Sequence, residues 1–511
     1  MSTDSSANNK RIAKNTLLLY LRMLFLLVIN LFVSREVLDA LGVVDFGIYN
    51  VVGGFVTMFT MISGAMATAT QRFISFEIGR GSEGNVKSTF STAVIIHIFL
   101  AFLVLFVAET VGLWFVNTQM SFPNERYAAV NCVYHFSVLT FLINIISVPY
   151  NAAIIAYEKM AAFAYVSIFE AIAKLVVVYL VIWSSVDKLI LYASLLALVA
   201  IVVRIIYGIY CNIHFTECKC SWKSDKEIKK KMMSFVSWNL IGSLSGVLKE
   251  QGINVLLNVF FGAAVNAARG LAFQVNNAIN GFVSNFQIAM NPQIVKTYAS
   301  GNKDEMFKIV FRGSKFSYML LFSLSLPFII EAPFILNLWL KEVPEYTVIF
   351  LRLVLVSALI ESLSGPLISS MHASGKVRDY QIVVGGLSLI TLPFAYLILI
   401  TFPIPYLAIV VGIVMASLCL LARLFMLKKS IEFPVLSFVR SVCLVVICIT
   451  IVASFIPISL HMVLDTGLLS FIIISVVAII SSITCSYFMG LDFGEKTMIK
   501  EKIRSFMKKF H

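Results

Sequence analysis

The chain has 511 residues, of which 59% are hydrophobic and only 13% are charged. A soluble globule of this composition would leave very large apolar surfaces in water, so the composition excludes an ordinary soluble protein and indicates an integral membrane protein. The formal net charge of +13 does not indicate a nucleic-acid partner, because the basic residues are dispersed over many short connections and form no separate soluble module.

Long apolar segments follow one another along almost the whole chain. A helix of about 20 apolar residues crosses roughly 30 Å of hydrocarbon, and windows of that length predict about fourteen spans. The spans are 15–36, 47–76, 89–116, 128–156, 161–184, 189–212, 234–260, 266–295, 308–338, 347–373, 379–401, 406–427, 435–457 and 467–489. They are too long and too uniformly apolar for barrel strands, so the predicted fold class is an all-α integral membrane protein.

The distribution of lysine and arginine predicts the orientation of the spans. Connections on one side carry most of the basic residues, including the lysine-rich run 219–231 between the sixth and seventh spans. Connections on the other side carry only Arg35, Arg126, Lys188 and Lys341. Since basic connections remain in the cytoplasm and the number of spans is even, both termini are predicted to be cytoplasmic.

Two pairs of segments indicate an internal repeat. The small-residue break 78–85 after the second span returns as 298–305 after the eighth. The segment Pro149–Lys159 of the fourth span and the segment Pro366–Lys376 of the tenth have the same spacing from proline to alanine to lysine. Six spans separate the copies, so both halves have the same orientation in the membrane and form a parallel repeat of two six-helix lobes.

This repeat predicts the domain organisation of the chain. The N-terminal lobe is residues 1–216 and a cytoplasmic linker follows at 217–232. The C-terminal lobe is residues 233–430, and residues 431–511 add two further helices and a basic cytoplasmic tail.

The layout of six, six and two spans, the break after spans two and eight, and the segments Pro149–Lys159 and Gly365–Lys376 resemble polysaccharide flippases of the Wzx type. These belong to the multidrug/oligosaccharidyl-lipid/polysaccharide exporter superfamily, which shares the MATE-like fold. The similarity covers nearly the whole chain as a pattern of spans and loops, without a diagnostic catalytic motif.

That resemblance implies a transporter and not an enzyme, without a cofactor, in the bacterial cytoplasmic (inner) membrane. The implied cargo is undecaprenyl pyrophosphate carrying a repeat unit of O-antigen or capsule, moved from the cytoplasmic to the periplasmic leaflet. The implied partners are this lipid-linked oligosaccharide, membrane lipids, a polysaccharide polymerase and glycosyltransferases.

Charged residues at bilayer depth are the first candidates for function, because burying a charge there is costly. Lys249 and Glu250 lie near the middle of the seventh span, beside the small and polar run 242–246, and are expected to face a wet cavity. Arg22 is the deep charge of the first span. Such cations would bind a pyrophosphate by charge-assisted hydrogen bonds; alternatively, Arg22 extends to cytoplasmic headgroups.

The eighth span carries a polar stripe. Its members recur at spacings of three, four or seven residues, which places them on one helix face: Arg269, Asn276, Asn280, Ser284, Gln287 and Asn291. Amides donate to and accept from sugar hydroxyls, so the stripe predicts a glycan-lined lumen. Hydrogen bonding between helices is the alternative. Arg352, near the start of the tenth span, either binds substrate or anchors the membrane interface.

Three further charged residues are candidates for pairing or for coupling to a cation. Glu170 and Lys174, four residues apart in the fifth span, predict an internal ion pair. Glu361 in the tenth span either pairs with Lys249 or Arg352 or binds a coupling cation. The predicted substrate-binding set is Arg22, Lys249, Arg269, Asn276, Asn280, Gln287 and Arg352, and the predicted coupling or ion-pair set is Glu250, Glu361, Glu170 and Lys174. No catalytic residue and no metal ligand is predicted.

The favoured function is alternating access by the two lobes, with a proton gradient, a sodium gradient or the membrane potential as the energy source. A multidrug antiporter of the MATE type is an alternative, but such exporters tend to use acidic residues, and the first span has Arg22 and no carboxylate before Glu36. A lipid II flippase of the MurJ type is another, since it also has fourteen spans and a cationic cavity. A membrane enzyme would need a sizeable extramembrane loop, and the outer connections are short.

Overall fold

The computed structural model describes residues 2–57, 59–118, 122–219, 221, 225–261, 263–340, 343–465, 467–492 and 494–497. Every regular element in these residues is helical, which confirms the all-α fold class. Lys341, four residues of the predicted linker (220 and 222–224) and the predicted basic tail beyond residue 497 lie outside the described residues.

Fifteen helices make up the described part of the chain. They are α1 (Ser2–Thr57), α2 (Thr60–Gly79), α3 (Val86–Thr118), α4 (Tyr127–Ala156), α5 (Met160–Ile182), α6 (Lys188–His214), α7 (Lys226–Phe261), α8 (Ala263–Ala299), α9 (Lys303–Ile330), α10 (Ala332–Trp339), α11 (Thr347–Ser374), α12 (Val377–Thr401), α13 (Leu407–Ile431), α14 (Val435–Val463) and α15 (Leu468–Gly490).

Ten of the described helices are long and apolar enough to cross a membrane: α3 to α6, α9 and α11 to α15. The chain is therefore a multi-pass integral membrane protein. The four other predicted spans lie in α1, α2, α7 and α8, and the one in α1 contains the apolar stretch Asn15–Asn30. These helices hold the first two spans of each predicted lobe, and their polar residues at bilayer depth are expected to face protein or water.

The predicted first and second spans meet inside α1. Gly42 interrupts the helix with φ 75° and ψ 168°, a conformation that is open to glycine and strained for other residues. Within the second span, α1 ends at Thr57 and α2 begins at Thr60.

The internal repeat extends to the backbone conformation. Gly81 after α2 and Gly301 after α8 both have positive φ, 61° and 79°. Glu158 after α4 and Gly375 after α11 likewise have φ 61° and 76°. Lys159 follows Glu158 and has φ −85° and ψ 57°. Lys376 follows Gly375 and has nearly the same conformation, with φ −83° and ψ 54°. The two halves therefore end corresponding helices in the same way.

The chain forms two compact units. The first comprises Met1–Leu244 with Ile288–Asn302, and its core is built around the fully buried side chains of Phe90, Tyr134 and Ile154. The second comprises Ser245–Gln287 with Lys303–His511, and its core includes the fully buried Phe322, Phe350 and Phe438.

Pro366 interrupts α11 within the second unit, and the break is at Leu363. Proline has no N–H to donate to the carbonyl four residues earlier, which is that of Ser362. This carbonyl accepts instead from the Gln287 amide at 3.4 Å, and the Leu363 carbonyl accepts from the Ser314 hydroxyl at 2.9 Å. Neighbouring helices thus satisfy the backbone groups that the proline leaves free.

Candidate functional site

Four of the predicted residues form one charged cluster in the second unit. Helix α7 supplies Lys249 and Glu250, α8 supplies Arg269, and α11 supplies Glu361. The Arg269 guanidinium lies 2.6 Å from the Glu250 carboxylate. The Lys249 ammonium lies 3.5 Å from Glu250 and 3.9 Å from Glu361. Of the two partners that the sequence offered for Glu361, Lys249 is the one it meets.

Arg269 is the most buried member of this cluster, with a side chain only 6% exposed. It also donates to the Asn254 side-chain oxygen, and its guanidinium lies 4.2 Å from the centroid of the Phe273 ring. Its Nε has no hydrogen-bond partner among the described residues. Arg269 is therefore a desolvated cation that is held in place on two sides and keeps one unused donor.

A cavity of about 60 Å³ adjoins the cluster and is lined by all four charged residues. Asn276, two turns further along the polar stripe of α8 than Arg269, also lines the cavity. Asn276 is 8% exposed, and its side-chain oxygen has no partner within the described residues. Buried polar atoms without a protein partner usually bind water or a ligand. The cavity thus combines an unused donor with an unused acceptor.

The cluster has two cations and two carboxylates, so its charges balance. Removing one partner of a buried ion pair leaves an uncompensated charge, which costs several kcal/mol. Lys249 has no short contact and shares two carboxylates, so it is the member that can change partners at the smallest cost. An incoming anion would compete with the carboxylates for Lys249 and Arg269, whereas an incoming cation would compete with Lys249 for Glu250 and Glu361.

Three predicted residues of the second unit lie elsewhere. Arg352 donates to the Ile329 and Ile330 carbonyls at 2.9 and 3.3 Å and so caps the end of α9. Gln287 donates to the Ser317 hydroxyl at 3.2 Å and to the carbonyl freed by Pro366. Asn280 is half-buried on α8. None of the three lines the 60 Å³ cavity.

The predicted residues of the first unit form a separate group. The Lys174 ammonium donates to the Glu170 carboxylate at 2.6 Å within α5. The Arg22 guanidinium of α1 lies 4.6 Å from the centroid of the Phe163 ring, and its charge interacts with that of Glu170. Each of these three charges therefore has a partner inside its own unit.

Sequence reasoning missed a buried carboxylate in the first unit. The Glu158 carboxylate accepts from the Lys296 ammonium at 2.6 Å and from the Gln293 amide at 2.5 Å, and the Glu158 carbonyl accepts from Asn15 at 3.3 Å. A signal was available, because Glu158 lies in the repeated segment at the position where the second copy has Gly375. An acidic residue at a position where the backbone conformation favours glycine indicates that its side chain makes a specific interaction.

Sequence reasoning also missed two arginines at corresponding positions of the two lobes. Arg204 on α6 places its guanidinium 3.7 Å from the centroid of the Tyr150 ring on α4. Arg423 on α13 donates to Ser364 on α11 at 3.0 Å and to the Tyr380 hydroxyl at 3.1 Å. Each arginine therefore ties the sixth span of its lobe to the fourth, a correspondence that the repeat predicts once both are aligned.

Comparison with known proteins is consistent with this organisation. The family described as "Polysaccharide biosynthesis protein" matches residues 12–298, more than half of the chain. None of the curated proteins matches the chain in sequence.

Several solved structures share the fold at low sequence identity. A MOP superfamily transporter from Pyrococcus furiosus, described as having a binding pocket of reversed polarity, has 11% identity and a TM-score of 0.71, with 84% of this chain and 96% of that chain covered. A substituted form of a Vibrio cholerae MATE transporter has 16% identity and a TM-score of 0.73, with 84% and 99% covered. An outward-facing multidrug resistance MATE family transporter has 13% identity and a TM-score of 0.70, with 83% and 97% covered.

These three likenesses show the fold, and the family match shows the class of protein. Both are those of membrane transporters and not of catalytic enzymes. The chain therefore belongs to the family described as polysaccharide biosynthesis protein and has a MATE-like fold.

Proposed function

We propose that this protein moves undecaprenyl-pyrophosphate-linked oligosaccharide repeat units, of O-antigen or capsular polysaccharide, from the cytoplasmic to the periplasmic leaflet of the bacterial inner membrane. Family membership supports the export of a polysaccharide precursor. The observation that supports the lipid-linked form is the cluster of Lys249, Glu250, Arg269 and Glu361, because its two cations, which are mostly buried at bilayer depth, suit the pyrophosphate of such a substrate.

The pyrophosphate is an anion with many acceptor oxygens. It would bind Lys249, which has no short ion pair, and the unused Nε of Arg269, forming charge-assisted hydrogen bonds in a site with little water. In the empty protein, Glu250 and Glu361 act as internal counter-ions for these cations. The empty site therefore has no uncompensated charge to bury during its return to the cytoplasmic side.

The sugars would follow the polar stripe of α8, beginning with Asn276 and Asn280, while the polyprenyl chain stays in lipid. Alternating access would then expose the site first to one side of the membrane and then to the other. A membrane potential that is negative inside drives an anion outwards, so the potential is an energy source that needs no further site. Glycosyltransferases would supply the substrate and a polymerase would consume it.

A second candidate is a cation-coupled multidrug antiporter. The carboxylates of the cluster are more accessible than its cations, with side chains 40% exposed at Glu250 and 51% at Glu361, compared with 21% at Lys249 and 6% at Arg269. A cationic drug would meet these carboxylates first. The two functions therefore predict opposite roles for the same four residues.

The deciding experiment is deletion of the gene in its native host. The amount of polysaccharide on the cell surface is then measured, and the lipid-linked intermediates are quantified by mass spectrometry. Loss of display together with intact lipid-linked repeat units inside the cell is the expected result. Unchanged polysaccharide with altered drug sensitivity would instead support the antiporter.

Complementation then tests the residues. Lys249→Met should fail to restore display although the protein is present in the membrane. Lys231→Met is the matched control, because Lys231 lies on the same helix with a side chain that is 63% exposed and paired only with Glu227 one turn away. If Lys249→Met restores full display, the proposed anion site is wrong.

A further inference from the structure

The first unit contains a second and larger cavity, of about 380 Å³, that no predicted site residue lines. Its volume falls within the range of small-molecule binding sites. Helices α1, α2, α4 and α6 form its walls. Its polar lining consists of Tyr49, Thr60, Ser137, Thr140 and Asn144.

The chemistry of this cavity differs from that of the charged cluster. Among the described residues, no Asp, Glu, Lys, Arg or His lines it. Ser137, Thr140, Phe141 and Asn144 lie on one face of α4, at the spacing of successive helical turns. The Ser137 side chain is half-buried and the Asn144 side chain is exposed to the cavity, and neither bonds to another described residue. Polar groups left without partners at bilayer depth are costly unless water or a ligand satisfies them.

The backbone at this cavity is also irregular. The regular helix is broken at Phe59, whose N–H donates to the Val56 carbonyl at 3.2 Å and whose carbonyl accepts from the Ile62 N–H at 3.0 Å. This break lies inside the predicted second span, next to Thr60, which lines the cavity. A helix break at membrane depth is tolerated where it is buried in protein or lines a polar cavity, and discontinuous helices often border the substrate sites of transporters. The break and the unpartnered side chains are independent features of the same place.

We propose that this cavity is a subsite for uncharged sugar rings of the transported oligosaccharide, an inference that rests on the proposed function. A sugar offers many hydroxyls that donate and accept, as the Ser137 hydroxyl and the Asn144 amide do. Its C–H faces can pack on the rings of Tyr49 and Phe141. The absence of any cation makes the cavity a poor site for the pyrophosphate. The cavity is therefore assigned to sugar rings and not to the pyrophosphate.

Gly53 offers a variant that fills the cavity. No atom of the described residues lies within 4 Å of the position that a Cβ would take at Gly53, so a leucine there would extend into the space. Gly386 on α12 is the matched control, because its Cβ position is equally open and it lines neither cavity. Asn144→Leu is a second variant, which removes a polar partner without adding much bulk.

The probe is the oligosaccharide released by mild acid from the lipid-linked intermediates of the deletion strain, free of phosphate. Its binding to the purified full-length protein in lipid nanodiscs is measured by calorimetry. The wild-type protein and Gly386→Leu should bind it alike, whereas Gly53→Leu and Asn144→Leu should each weaken binding by about tenfold or more.

The outcomes separate this inference from the function on which it rests. If no lipid-linked oligosaccharide accumulates in the deletion strain, the proposed function is wrong and the inference with it. If it accumulates but the released oligosaccharide does not bind, or binds the wild-type protein and both cavity variants equally, the subsite is wrong while the flippase function stands.

Discussion

The Lys296 ammonium lies 2.6 Å from the Glu158 carboxylate, and the Glu158 side chain is only 1% exposed. Glu158 has φ 61°, a left-handed conformation that costs an L residue with a side chain about 1 kcal/mol. The corresponding residue of the second half is Gly375, which adopts the same conformation without that cost. A glutamate at this position therefore requires that its ion pair with Lys296 stabilise the folded protein by more than the left-handed conformation costs.

Glu158→Ala should lower the free energy of unfolding by about 3 kcal/mol, because it leaves the Lys296 charge largely buried without its partner. Glu158→Gly loses the same ion pair but relieves the left-handed backbone, so it should be about 1 kcal/mol more stable than Glu158→Ala. Chemical unfolding in detergent measures both. The exposed neighbour Lys159 supplies the control Lys159→Ala, and equal stabilities of Glu158→Ala and this control would contradict the prediction.

Single and double substitutions of Arg269 and Glu250 should affect stability and transport differently. Glu250→Gln should destabilise the protein by about 3 kcal/mol, because it leaves the buried Arg269 charge without its carboxylate. Arg269→Met should cost about 1 kcal/mol, because Glu250 is 40% exposed and keeps Lys249 at 3.5 Å. The double substitution removes both charges and should recover stability to within about 1 kcal/mol of the wild type. It should still fail to export polysaccharide in the deletion strain. Recovery of export in the double variant would show that the cluster is only structural.

Arg126 joins three predicted outer connections of the first unit. It donates to Asp45 after the kink in α1, and its guanidinium lies 2.6 Å from Asp187, the residue that caps the start of α6. Partial burial acts to raise the pKa of Asp187, but hydrogen bonds from Arg126 and from the first backbone N–H groups of α6 outweigh it, so the pKa of Asp187 lies below its ordinary value.

The sign of the pH dependence follows from that lowered pKa. A carboxyl whose pKa is lower in the folded protein stabilises it fully above the unfolded pKa of about 3.9, and this stabilisation is lost as the pH falls through the folded value. The melting temperature should therefore be unaffected by Asp187 at neutral pH and decrease below about pH 4. Asp187→Asn should show a smaller acid-induced decrease, measured as a pH series of thermal unfolding curves. If the melting temperatures of Asp187→Asn and of the wild-type protein decrease equally in acid, the proposed stabilisation by Asp187 is wrong.

Gly365 is needed because Gln287 lies against it. A Cβ at Gly365 would stand 2.3 to 2.4 Å from the amide atoms of Gln287, so Gly365→Ala must displace the Gln287 side chain from Ser317 and from the carbonyl that Pro366 leaves free. The expected loss is about 2 kcal/mol of unfolding free energy.

In a Gln287→Ala background the same glycine substitution should cost much less, since nothing remains to be displaced. A full cycle of the two variants, measured by unfolding, tests this coupling. If the effects of Gly365→Ala and Gln287→Ala on the free energy of unfolding are additive, Gly365→Ala does not act by displacing Gln287.

Several features of this protein were predictable from its sequence because they depend on local chemistry. The length of the apolar segments set the positions of the spans, and ten of them are helices long and apolar enough to cross a membrane. Repeated turn residues predicted two similar halves, and Gly81 and Gly301, at the same place in the two breaks, both have a left-handed conformation. The helical spacing of Glu170 and Lys174 likewise predicted an ion pair that needs only one helix.

Other features depended on which helices pack together. The sequence identified Lys249, Arg269 and Glu361 as unusual charges, but only packing decided that they share partners, and packing placed Arg352 on the end of α9 instead. The neutral cavity beside Asn144 had no sequence signal, since single hydroxyls and amides in an apolar helix are common. Apolar length and turn chemistry are properties of neighbouring residues, whereas the neighbours of a polar side chain inside a bundle are contributed by helices distant in sequence.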